Sequence, residues 1–106
     1  MTFDRTPDRT PDPRVHHLGR FSLGRCVATP GALELMRRER IGPQDILRRH
    51  QQGDWGTVDR EDWQANDEAL REGGRLLSAY GEGDSKLWVI TEWDRSATTI
   101  LLPSEY

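Results

Sequence analysis

Between positions 29 and 72 the hydrophobic side chains recur every three or four residues, whereas from Arg75 onward the period shortens to two. The first period is typical of amphipathic helices and the second of strands. Thr29 precedes Pro30 as a cap and a first helical residue, and Asp59 is a second cap. The helix start and stop signals are Thr29-Pro30, Gly42-Pro43, Gly53, Asp59 and Gly73-Gly74.

These signals predict three helices, the second of them short, at Asp45 to His50. The segment after Arg75 predicts the strands "RLLSAY", "KLWVITEW" and "ATTILLP", the first two joined by the loop "GEGDS". A short extended piece, Arg25 to Ala28, precedes the helices. The predicted fold class is α+β: about three N-terminal helices, with or without this leading strand, packed on a three- or four-stranded antiparallel meander.

The last two predicted strands flank a charged corner, Glu92 to Ser96, which contains no glycine. If the hairpin loop has three residues, Glu92 and Thr98 point the same way, with Arg95 at the tip. The pairs that this loop predicts are Trp93 with Ala97, Thr91 with Thr99 and Val89 with Leu101. The corner would then lie at an open rim of the sheet.

A structural and a binding interpretation of the corner both stay open. In the first, Asp94 bonds the turn backbone and Arg95 pairs with a carboxylate at the surface. In the second, the corner binds a partner protein, helped by an exposed tryptophan in the turn "GDWG". The predicted binding residues are Trp55, Trp93, Asp94, Arg95 and Ser96.

A catalytic interpretation takes Glu92 as a general base, with Arg95 and Arg48 or Arg49 holding a phosphate. Helices followed by an antiparallel sheet are also the element order of the barnase-like and RelE-like ribonuclease toxins, which the chain resembles in that respect only. No motif of those enzymes maps onto individual residues here. A small ribonuclease toxin is the enzymatic alternative, and a protein without enzymatic activity is preferred.

The chain has 106 residues and a formal net charge of −3, which fits one domain. Residues 1–18 contain Asp-Arg-Thr-Pro twice and few apolar side chains, a composition that predicts a disordered arm. Residues 19–106 predict a single α+β domain. Helices cover only one face of a meander, so the second face needs another layer, the arm or a second subunit, which leaves a homodimer open.

A basic cluster in the first two predicted helices consists of Arg37, Arg38, Arg40, Arg48 and Arg49. Contacts with several phosphates need about this much charge. Acidic residues are interspersed, however, and residues 21–106 hold 15 acidic against 11 basic side chains. A solvated helix face is the simpler interpretation, and nucleic-acid binding is kept as the alternative.

Other chemistry is sparse. The single cysteine cannot form an intrachain disulfide, and His16, His17 and His50 lack the spacing of a zinc site, so we predict no metal and no cofactor. His50 is expected to gain from the dipole at a helix end. Without a signal peptide or a long apolar run, a cytoplasmic protein with no membrane partner is predicted. Four tryptophans exceed the needs of a small core, which predicts one at a partner surface.

The segments "VATPGAL", "RHQQGDWG", "NDEAL", "LLSAY" and "WVITEWDRSATTILLPSEY" resemble small proteins of plasmids and integrative elements described only as "plasmid-related". The resemblance covers about residues 19–106, is most specific from Trp88 to Tyr106, and carries no catalytic residue. It implies a mobile-element setting. Our leading hypothesis is a non-enzymatic accessory protein that binds a host or element-encoded protein, in an anti-restriction, anti-CRISPR or toxin–antitoxin role.

Overall fold

The computed structural model describes residues 19–106, and the predicted arm at 1–18 lies outside the described residues. In chain order the elements are β1 (Arg25–Ala28), α1 (Pro30–Glu39), α2 (Pro43–Gln51), α3 (Arg60–Glu72), β2 (Leu76–Tyr80), β3 (Leu87–Thr91) and β4 (Ala97–Leu101). Single-turn 3₁₀ helices follow β2 at Gly83–Ser85 and β4 at Pro103–Glu105. The predicted α+β class is confirmed.

The helices begin where the capping residues predict. The hydroxyl of Thr29 accepts the backbone N–H of Ala32 at 3.1 Å, and Pro30 opens α1. At the start of α3 the carboxylate of Asp59 accepts the N–H of Asp62 at 2.8 Å. Each contact satisfies one of the N–H groups that the first turn of a helix leaves without an intrahelical partner.

The sheet has the strand order β1-β4-β3-β2. Strands β2, β3 and β4 form the predicted antiparallel meander, whereas β1 pairs with β4 in parallel, so the whole sheet is mixed. Parallel pairing requires a long connection between the strands, and here the chain runs through three helices and two strands before it reaches β4. β1 therefore forms one edge of the sheet and β2 the other.

The β2 edge is covered by polar contacts. The side-chain amide of Asn66, on α3, accepts the N–H of Leu77 at 3.1 Å and donates to its carbonyl at 2.7 Å. Farther along, the N–H of Ala79 donates to Trp55, and its carbonyl accepts the N–H of Thr57. Backbone groups that an edge strand usually leaves open are thus paired within the chain.

One face of the sheet, the inner face, packs against α1 and α2. Apolar side chains of both helices join strand residues in one buried cluster, to which α1 contributes Ala32, Leu35 and Met36. The strand register assigns to the inner face Cys26, Ala28, Leu76, Ser78, Tyr80, Leu87, Val89, Thr91, Thr98 and Ile100. Every one of these side chains is buried.

The predicted register of the last hairpin is wrong by one residue. Thr91 pairs with Thr98, and the N–H of Glu92 donates to the carbonyl of Ala97 at 3.0 Å. The loop therefore contains four residues, Trp93–Ser96. The physical reason is the left-handed conformation of Arg95, whose φ is 61°. Glycine usually signals such a residue in a loop, and no glycine is present here. As a consequence Thr98 lies on the inner face, on the other side of the sheet from Glu92.

Candidate functional site

The hairpin corner, Trp93–Ser96, joins β3 to β4 at one end of the sheet. The side chain of Trp93 is 71 % exposed, and Asp94 and Ser96 are exposed beside it. The carboxylate of Asp94 accepts the N–H of Ser96 at 3.0 Å. Hydrogen bonds from Ser96 hold the pKa of Asp94 below its usual range, so the carboxylate is ionised at neutral pH. The corner thus presents an indole beside one negative charge.

Arg95 holds the corner in place from below. Its Nη1 donates to the carbonyls of Gly74, Glu92 and Trp93, at 2.5, 3.1 and 3.3 Å. Its Nη2 donates to the carbonyl of Ala69, in the last turn of α3, at 3.2 Å. The guanidinium therefore binds two backbone segments to each other: the loop itself and the chain between α3 and β2. Arg95 positions the loop and directs its polar groups towards the protein.

The four residues of the catalytic interpretation do not converge. Arg95 reaches Gly74, which precedes β2, whereas Arg49 lies over the ring of Tyr80, at the end of β2. Tyr80 is six positions after Gly74 along an extended chain, which corresponds to roughly 20 Å. Glu92 lies at the same end of the sheet as Arg95, and Arg48 lies on α2 next to Arg49. The geometry does not support a shared phosphate site.

The basic cluster is partly neutralised by carboxylates. Arg37 pairs with Glu34 at 2.7 Å, Arg49 with Asp54 at 2.7 Å and Arg48 with Asp45 at 3.4 Å. The remaining two arginines, Arg38 and Arg40, are exposed. Since a phosphate would compete with these carboxylates, the cluster is a weaker nucleic-acid site than five free arginines would be.

Trp55 is fully buried, which corrects its predicted exposure. The carbonyl of Trp55 accepts the N–H of Ala79 at the β2 edge, and the indole lies on the inner side of the sheet next to His50. There its N–H donates to Asp67 at 3.0 Å, and its ring stacks on Phe21 and meets the edge of His50. A side chain with 0 % exposure cannot contact a partner, and Trp93 is left as the exposed tryptophan of the predicted binding set.

Beneath the corner lies a chain of buried polar side chains that the sequence analysis missed. His50 Nδ1 lies 2.6 Å from the hydroxyl of Ser78, and His50 Nε2 lies 2.8 Å from that of Thr91. Thr91 contacts Thr98 at 2.7 Å, and the hydroxyl of Thr98 donates to the carbonyl of Leu23 at 2.7 Å. The four side chains are 0 % exposed.

The carbonyl at the end of this chain determines the direction of every hydrogen bond. Thr98 uses its only hydrogen on Leu23, so the hydroxyl of Thr91 must donate to Thr98. Thr91 then accepts from His50, whose Nε2 carries the proton. His50 Nδ1 is consequently unprotonated and accepts the hydroxyl hydrogen of Ser78. The histidine is held as one neutral tautomer with both nitrogens satisfied.

Burial lowers the pKa of His50 to about 3, with a smaller contribution from the positive charge of Arg95. The expected gain from the dipole of α2 is therefore outweighed by desolvation, and that prediction is wrong. A serine and a histidine in contact also resemble a nucleophile and its base. Here both groups are closed to solvent and substrate, so the contact stabilises the fold.

Comparisons of the chain with protein-family models, curated proteins and solved structures find no match. Residues 19–106 contain no helix that is long and apolar enough to cross a membrane. The same residues contain no group of three or more histidine, cysteine or carboxylate side chains able to hold a metal ion.

Proposed function

We propose that this chain is a non-enzymatic accessory protein of a mobile genetic element, and that it acts by binding another protein through the hairpin corner. The observation that carries the proposal is the 71 % exposure of Trp93 on a loop tied down by Arg95. Tryptophan side chains that enter a pocket of the partner supply much of the binding energy at protein interfaces.

The fixed conformation of the corner favours binding. A loop that is already ordered loses little entropy when a partner binds it, and each immobilised side chain would otherwise cost about 0.5–1.5 kcal/mol. Arg95 and Asp94 both contribute to this order through their contacts with the loop backbone. We therefore assign the contact itself to Trp93 and the positioning of the loop to Arg95.

The charge of the corner indicates what the partner offers. The ionised carboxylate of Asp94 lies one residue from Trp93 and is fully exposed. A complementary surface has an apolar pocket with a basic rim. The mobile-element setting and the anti-restriction, anti-CRISPR or toxin–antitoxin role rest on the resemblance of the segment from Trp88 to Tyr106 to plasmid-related proteins.

The experiment places a photo-crosslinking amino acid at position 93 in cells that carry the element, and the crosslinked protein is identified by mass spectrometry. Its affinity is then measured for wild type, Trp93→Ala and the matched control Tyr106→Ala, which removes another exposed aromatic ring. We expect Trp93→Ala to weaken binding about 30-fold or more, as at interface hot spots. Equal affinities for wild type and Trp93→Ala would refute the proposal.

A further inference from the structure

The face of the sheet opposite the helices, the outer face, has a regular arrangement of side chains. The pairing of the four strands places its residues in rows that cross the sheet from β2 to β1. The row in the middle of the sheet consists of Leu77, Ile90, Thr99 and Val27. The neighbouring row toward the corner, extended by one residue from the same register, consists of Arg75, Glu92, Ala97 and Arg25.

The first two helices lie on the other side of the sheet, and α3 lies along the β2 edge. α1 and α2 contribute the buried cluster on the inner face. The end of α3 binds Arg95, whose guanidinium lies over Phe21, a ring that packs on His50 of the inner side. On the outer face Leu77, Val27 and Trp88 are half-exposed, whereas Ala79, Ile90 and Leu101 are buried among their neighbours. The ring of Tyr106 contacts Trp88 and lies under Arg75, on the β2–β3 side of this face.

The charged row is self-complementary. Glu92 on β3 and Arg25 on β1 flank Ala97 on β4, so about 10 Å, two strand spacings, separates their backbones. Both side chains are exposed, and neither makes an ion pair with any of residues 19–106. Arg75, the other neighbour of Glu92, lies over the ring of Tyr106. One free negative and one free positive charge thus lie on either side of a small residue.

We infer that two copies of this chain associate through their outer faces, about a two-fold axis parallel to the strands and above β4. Rotation about such an axis puts β3 of one copy over β1 of the other and keeps each row at its own level. Glu92 of each copy then faces Arg25 of the other, and the two small Ala97 side chains meet at the axis. Sheets packed this way align within about 30°, as in β-sandwiches.

The size of the face sets the strength of the association. About this axis β1, β4 and β3 of the two copies overlap, and three strands about 4.8 Å apart and five residues long cover roughly 240 Å² in projection. A standard stable interface buries about 800 Å² per partner. The face is smaller than that even with its surface relief, so we expect a weak dimer that dissociates on dilution.

The test is the mass of the full chain in sedimentation equilibrium from about 10 µM to about 1 mM. We expect a rise from monomer to dimer that high salt weakens. Arg25→Glu and Glu92→Arg should each weaken association about tenfold or more, because like charges then face each other at two places. The double variant should recover the wild-type affinity, and Arg38→Glu, an exposed reversal on α1, should leave it unchanged.

A chain that stays monomeric at the highest concentration would overturn the inference and leave residues 1–18 or a different protein as the occupant of the face. A dimer that the single reversals do not weaken, or that the double variant does not restore, would also overturn it, because the two copies would then meet elsewhere. The inference is independent of the proposed function: Trp93→Ala should weaken partner binding and leave the monomer–dimer equilibrium unchanged.

Discussion

Lowering the pH from 7 to 5 should destabilise this protein through the buried histidine. In the folded chain the pKa of His50 is about 3, so the ring stays neutral throughout that range. In the unfolded chain a histidine titrates near 6.5 and takes up a proton as the pH falls. The unfolded state is therefore stabilised by about 2 kcal/mol at pH 5, which is 1.5 pH units below that value.

The sign follows from the lowered pKa: the contribution of His50 is fully present above about pH 6.5 and decreases as the pH falls towards 3. In the unfolded chain carboxyl groups take up protons near pH 4, below the range in which the unfolded histidine does so. The side chains whose pKa is held low by hydrogen bonds are Glu34, Asp54, Asp94 and Glu105. Their contribution is lost only at more acidic pH.

Thermal unfolding followed by circular dichroism at pH 7 and pH 5 measures the effect. A loss of 2 kcal/mol should lower Tm by roughly 8–16 °C in a domain of this size. His50→Gln is the matched control: it should be less stable at pH 7 but should lose less between pH 7 and pH 5, since the side chain that takes up the proton in the unfolded state is gone. In the wild type, the NMR signal of the His50 ring should not shift between pH 7 and pH 5. A ring that titrates near pH 6.5, or equal losses in both proteins, would refute the reasoning.

Three further predictions test other parts of the fold. Arg95→Ala should lower the free energy of unfolding in urea by about 2 kcal/mol, because the charged hydrogen bonds of the guanidinium are lost. Arg95→Gly should lower it by about 1 kcal/mol less, because glycine accepts a φ of 61° without strain. Equal losses in the two variants would contradict a strained loop. Gly56→Ala would bring a methyl group to 1.9 Å from the carbonyl oxygen of Ala79 and should lower the free energy of unfolding by at least about 2 kcal/mol in the same assay. The control is Gly83→Ala, which has open space around the new methyl group and should lower it by only about 1 kcal/mol. Glu105→Gln removes the carboxylate that accepts the hydroxyl of Thr29 and the N–H of Leu102. This exposed contact should contribute less than about 1 kcal/mol to the free energy of unfolding at neutral pH and nothing once the carboxylate is protonated. A variant whose stability depends on acidic pH as the wild type does would contradict this.

Local signals were sufficient to predict the elements of this fold. Thr29 and Asp59 cap helices in the structure as they do in the prediction, because a cap depends on residues within one turn. The change of period at Arg75 marks the change from helix to strand for a similar reason, since alternation reflects which side chains face a sheet. The α+β class follows from the order of these elements.

The parts that sequence could not predict depend on contacts between distant residues. The carbonyl of Trp55 accepts the N–H of Ala79, 24 positions away, and this contact fixes the buried tryptophan without any local pattern that indicates it. The hairpin register depends on Arg95, whose left-handed conformation is stabilised by carbonyls of Ala69 and Gly74. His50 looked like a residue at a helix end, and its two hydrogen-bond partners come from two different strands, β2 and β3.

The buried polar chain and the exposed corner are linked through the register of the last hairpin. Thr91 and Thr98 form the last strand pair before the loop, and a slip of one residue would exchange the faces of β4. Thr98 would then leave the inner face, so Leu23 and Thr91 would lose their hydrogen bonds in a buried site, at about 1–3 kcal/mol for each unsatisfied group. The polar chain therefore selects a four-residue loop, and that loop allows Arg95 to hold Trp93 in solvent. A group with no access to any ligand thus determines how the proposed binding residue is presented.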